Sequence, residues 1–171
     1  EGDIIYQQRV AVEADDTGGA LHDRLALEGT ALLVRTLNAL EDGSAPRVKQ
    51  DDASATYAPK LSKQDGRIDW KEPCKVLYNK VRGFNPWPVC WFRSGDAIEK
   101  SRDCVVRVFR STCLAGKAAP GVVVKADAEG IDVGTGDGVL RLHEVQTEGG
   151  RRMETEEFLR GHKVYEGKVF C

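Results

Sequence analysis

The chain has 171 residues, 41% of them hydrophobic and 30% charged, with a formal net charge of −2. That balance belongs to a globular protein with a real core, one domain or one domain plus a piece of another, and it excludes a disordered tail, a fibre and a strongly basic nucleic-acid coat. No apolar run approaches the roughly 20 residues that cross a bilayer, and no basic-then-apolar leader opens the chain, so a soluble protein without a membrane partner is expected.

The five cysteines (Cys74, Cys90, Cys104, Cys113 and Cys171) are odd in number and form no Cys-x-x-Cys pair, which argues against a disulfide framework and for small buried residues kept reduced. His22, His143 and His162 are too far apart for ligand spacing, and no metal is expected. Charge is unevenly divided: residues 1–64 hold 7 Lys/Arg against 11 Asp/Glu, and residues 65–171 hold 18 against 16. The second part is therefore mildly basic, compatible with an anionic partner but not proof of one.

In chain order, the β-branched segment 3–12 reads as a strand. Asp15-Asp16-Thr17 then offers a helix N-cap, followed by Leu21, Leu25, Leu32, Leu33, Leu37 and Leu40 at helical spacing and by Gly43 as a stop. A strand and one long helix are half of an α/β unit and cannot bury both apolar faces alone, so residues 1–43 are expected to be the end of a domain whose body lies upstream. The polar stretch 44–66, with two prolines and no periodicity, reads as a linker carrying Arg47, Lys49, Lys60 and Lys63. The expected division is 1–43, a linker 44–64 and a second domain 65–171.

Within the second domain a short helix is expected over residues 72–83. Candidate strands follow at Val89–Phe92, Cys104–Phe109, Gly121–Lys125, Gly130–Val133 and Val139–His143, and a last helix covers about residues 154–160. Five short strands suggest a small barrel. The run Gly134-Thr135-Gly136-Asp137-Gly138 has the glycines of a phosphate loop, but the alternation of Val139-Leu140-Arg141-Leu142 after it predicts a β-turn. Trp70, Trp87 and Trp91 are expected to pack in the core or at a junction, with Trp87 wedged between helix and barrel. The serines fall in expected turns or the linker, and no complete set of acid, base and oxyanion groups is legible.

Three segments, Tyr57–Trp70 (YAPKLSKQDGRIDW), Arg82–Pro88 (RGFNPWP) and Gly136–Met153, together with the ending FLRGHKVYEG and the opening GDIIYQQ, closely resemble the C-terminal half of methionyl-tRNA formyltransferases. The resemblance runs over the whole chain. It implies an α+β chain: a remnant strand and helix of a Rossmann-like formyltransferase domain, then a linker and a small OB-like β-barrel with flanking helices that binds tRNA. Members of the family move a formyl group from 10-formyltetrahydrofolate to the amino group of methionyl initiator tRNA in bacteria and organelles. That implies a cytoplasmic or organelle-matrix protein whose partners are initiator tRNA and the upstream catalytic domain, and no DNA. The family's catalytic Asn, His and Asp have no counterpart here. Glu1-Gly2-Asp3 resembles the last three positions of the family's Asp-x-Gly-Asp loop, which would put the catalytic Asp just before Glu1.

Candidate tRNA contacts are therefore Lys60 and Lys63 in the linker, Arg67, Arg82, the pair Arg151 and Arg152, and Lys163, all able to face backbone phosphates. Two other readings compete. One is an amino-sugar N-formyltransferase, disfavoured by the YAPKLSK and RGFNPWP segments; the other is a free-standing OB-like nucleic-acid-binding module, disfavoured by the strand and helix of residues 3–42.

Overall fold

The computed structural model describes residues 2–99 and 103–171, so the Glu1 position of the loop resemblance lies outside the described residues. The chain divides into two compact units, Glu1–Lys60 and Leu61–Cys171.

The first unit is built on helix α1, Gly18–Glu41. Thr17 caps it, its hydroxyl oxygen accepting the Ala20 N–H at 3.1 Å, and Gly43 leaves the helix at φ +73°, a conformation that glycine adopts without a Cβ penalty. Most of its apolar side chains face outward: Leu33, Leu37 and Leu40 are 57%, 56% and 42% exposed. The segment expected as a strand over residues 3–12 forms no ladder. A strand exists only when paired, and the described residues give this segment one antiparallel bridge, Ile4 to Val48, with N–H···O distances of 2.8 and 3.0 Å.

In the second unit, helix α2 (Cys74–Gly83) buries Cys74, Leu77 and Val81, an i, i+3, i+7 stripe facing the sheet. Six antiparallel strands follow: β1 (Cys90–Arg93), β2 (Val105–Leu114), β3 (Val123–Asp127), β4 (Gly130–Gly134), β5 (Val139–Thr147) and the two-residue β6 (Met153–Glu154). Their order is β1-β2-β5-β4-β3, with β6 on β5. Alternation sends Val106 and Val108 of β2, and Leu140 and Leu142 of β5, into the core, and Val145 returns to it past a shift in register. Both strands run further than the sequence suggests. The polar run Ser111-Thr112-Cys113 looks like a turn but pairs with Leu142, Arg141 and Leu140 beyond a bulge near Arg110. Ser111, expected outside the strands, is thus buried on β2, and its hydroxyl has no partner among the described residues. Helix α3 (Thr155–Gly161) buries Phe158.

The two edge strands, β1 and β3, are joined by the end of the chain. Arg93 of β1 exchanges two backbone hydrogen bonds with Cys171 (2.8 and 2.9 Å), while the Val123 N–H donates to Lys168 O and the Phe170 N–H donates to Gly121 O. Beneath this seam Phe170 packs on Phe92 at 4.5 Å and on Trp70 at 6.4 Å between ring centroids. Gly121 is needed there: at φ +80°, an added Cβ would meet Phe170 O at 2.7 Å.

The glycine-rich run 134–138 is the β4–β5 turn, and it docks on α2. Asp137 accepts the Cys74 N–H through its carboxylate at 2.8 Å, and Gly136 lies so close to Lys71 that a Cβ would stand 2.0 Å from its carbonyl oxygen. The helix N-terminus, a natural anion site, is occupied by the protein's own carboxylate.

Candidate functional site

The predicted cations fall into separate settings. Lys60 ends the first unit, exposed. Lys63 opens a 3₁₀ turn, Lys63–Gly66, fixed at its start by Ser62, whose N–H (2.6 Å) and hydroxyl (2.8 Å) both donate to Asp65 and hold its carboxyl below the ordinary carboxylate range. The turn is fastened to β1 because the Trp91 indole N–H donates to Lys63 O at 2.9 Å and the Ile68 N–H donates to Trp91 O at 2.8 Å. Arg67, exposed just after the turn, has its carbonyl taken by Lys80 Nζ at 2.9 Å. Lys63 and Arg67 thus stand at the two ends of one short, anchored element.

Arg82, half-buried at the end of α2, donates to Asn79 at 3.1 Å and lies 5.8 Å from the Tyr78 ring. Arg151 pairs with Glu157. Arg152 makes two hydrogen bonds to Glu144, at 2.5 and 2.6 Å, and lies over the Phe109 ring at 4.3 Å; the Glu144 carboxylate raises its pKa. These two arginines are locally neutralised. Lys163 is exposed, with its ammonium 5.1 Å from the Tyr165 ring.

Around Lys63 the structure assembles more than the linear sequence indicates. The loop after α2, Asn85-Pro86-Trp87-Pro88-Val89, is pinned by Asn85 Nδ2 donating to Phe109 O at 3.1 Å and by the Val89 N–H donating to Phe84 O at 2.9 Å. Gly66 meets this loop so closely that a Cβ would stand 2.2 Å from Val89 O. Between loop, turn and sheet lies an open groove of about 390 Å³, with Trp87 and Pro86 on one wall, Lys63 and Gln64 on another, and Trp91 and Arg107 across it.

Trp87 is 53% exposed. The expected wedge between helix and barrel is therefore corrected: the flanking prolines and the pinned loop hold the indole out over the groove, and Trp70, at 5% exposure, fills the core instead. Replacing Trp87 by Ala creates no buried cavity, so the 3–5 kcal/mol typical of a buried aromatic does not apply. Arg107 was not among the sequence candidates. It is the direct cross-strand partner of Trp91, on the outward phase of β2 between inward Val106 and Val108; the alternation was visible, but the register that brings it to Trp91 was not.

The cysteines divide as well. Burial pushes the Cys74 and Cys90 thiols up to about 12, whereas Cys113 and Cys171 are exposed, unlike the buried set expected. Among the described residues, no helix is long and apolar enough to cross a membrane.

Residues 60–163 match the family model described as "Formyl transferase, C-terminal domain". The methionyl-tRNA formyltransferase of Bacillus licheniformis is 40% identical over 97% of this chain and 51% of its own length. That of Desulforamulus reducens is 39% identical over 98% and 52%. The chain thus spans about half the length of the curated relatives it matches. Among solved structures, HypX from Aquifex aeolicus in complex with tetrahydrofolic acid superposes over 74% of this chain and 22% of its own, with a TM-score of 0.55 and 20% identity, a likeness of fold.

Proposed function

The chain belongs to the formyl transferase C-terminal domain family, and from that premise we propose that it is the tRNA-binding part of a methionyl-tRNA formyltransferase, in which residues 61–171 act as an OB-like domain holding initiator tRNA for an upstream catalytic domain. The whole enzyme transfers a formyl group from 10-formyltetrahydrofolate to the amino group of methionyl initiator tRNA, in a bacterial cytoplasm. The observation that carries this reading is identity of about 40% to enzymes so named, spread over 97% of the chain. We assign no catalytic residue within these 171 residues.

Lys60, Lys63, Arg67, Arg82 and Lys163 are the proposed phosphate contacts. Arg151 and Arg152 would first have to exchange a carboxylate for a phosphate, which makes them weaker contributors. Binding of methionyl initiator tRNA, measured by fluorescence anisotropy between 50 and 200 mM salt, tests the proposal. Three to five contacts predict a slope of log affinity against log salt of roughly −2 to −4, and Lys60→Ala with Lys63→Ala should make it shallower by up to about two. The same chain given 10-formyltetrahydrofolate should transfer no formyl group. Salt-independent binding or none, as expected of an amino-sugar enzyme, would overturn the tRNA assignment.

A further inference from the structure

The Trp87 groove joins three features. A large aromatic face is held open to solvent on a pinned loop. Lys63 and Arg107 flank it, and neither has a carboxylate partner among the described residues, while Arg93, Arg110, Arg141, Arg151, Arg152 and Arg160 all do. Gln64, which can donate and accept, lines the same groove.

An indole face held open to water can be covered by another flat aromatic surface, with burial and stacking both favourable. A planar base offers a face of matching shape, and the phosphate on either side of that base offers charge complementary to the two cations. A paired base in a helix cannot reach such a platform, because both its faces are already stacked; an unpaired nucleotide can. Resting on the RNA-binding reading above, we propose that this groove captures a single unpaired nucleotide of the bound RNA, with its base on Trp87, its flanking phosphates at Lys63 and Arg107, and its edge within reach of Gln64.

The test uses the full chain and two labelled probes, a single-stranded eight-mer of adenosine and cytidine and a blunt RNA duplex carrying the same number of phosphates. Trp87→Ala should weaken the single strand on the order of tenfold and leave the duplex within about twofold, while Trp87→Phe stays within about threefold of the parent. Binding of the single strand should quench indole fluorescence in the parent and lose most of that quench in Trp87→Phe, a readout that survives even where the alanine variant fails to fold. Arg107→Ala and Lys63→Ala should each flatten the salt slope by about one. The assignment is overturned by an unchanged quench in Trp87→Phe, by equal weakening of both probes, by displacement of the eight-mer with micromolar ATP (a free-nucleotide site), or by a dimer that Trp87→Ala dissociates (a protein-facing patch). Binding of tRNA without binding of the eight-mer removes the groove assignment alone; binding of neither removes the RNA reading with it.

Discussion

His143, on the outward phase of β5, accepts or donates a hydrogen bond with the Thr112 hydroxyl at 2.9 Å. Burial, with Arg110 and Arg141 nearby, holds its pKa below the ordinary 6.5. A histidine whose pKa is lower in the folded than in the unfolded chain takes up its proton more readily on unfolding, so it favours the folded state fully above pH ~6.5 and ceases to do so as pH falls through the folded pKa. Stability followed by urea denaturation should therefore decline below pH ~6.5, and His143→Gln should flatten that decline; an identical pH profile in the variant would exclude His143 as its source. At this scale the sequence was uneven. Lys63 and Arg67 could be singled out because a motif carried them, whereas Arg107 and the exposure of Trp87 required a cross-strand register and a loop anchor, Asn85 to Phe109 O, that join residues remote in sequence.

Among the elements, α1 is the clearest success of periodicity, since a cap, a leucine repeat and a closing glycine are all local signals. The expected strand at 3–12 depended instead on a partner, and the described residues supply only Val48. The same dependence lengthened β2 and β5, whose polar halves are strands because they are paired, not because of their composition. The outward stripe Leu33, Leu37 and Leu40 on α1 should drive self-association of this chain. Sedimentation at rising concentration should show it, and Leu33→Gln with Leu37→Gln should shift the distribution towards monomer without loss of helical circular dichroism. A parent chain that stays monomeric at high concentration would show that the stripe is inert.

For the molecule as a whole, the seam that joins β1 to β3 is a long-range contact that the strand order by itself does not supply. Phe170 is buried to 2% exposure under it, so Phe170→Ala should cost about 3–5 kcal/mol in urea unfolding. Its neighbour Val169, 46% exposed, should tolerate alanine within about 0.5 kcal/mol. Loss of less than about 1 kcal/mol at Phe170 would mean that the sheet holds without its seam. The sequence showed strands enough for a barrel but not how its edges meet, because a five-residue tail with one aromatic gives no local sign of joining two strands. A ribosome delivers this tail after every element it fastens. Until residues 168–171 are made, β3 and the Arg93 end of β1 lack the partners that the seam supplies, so the second unit can complete its fold only late in its own synthesis.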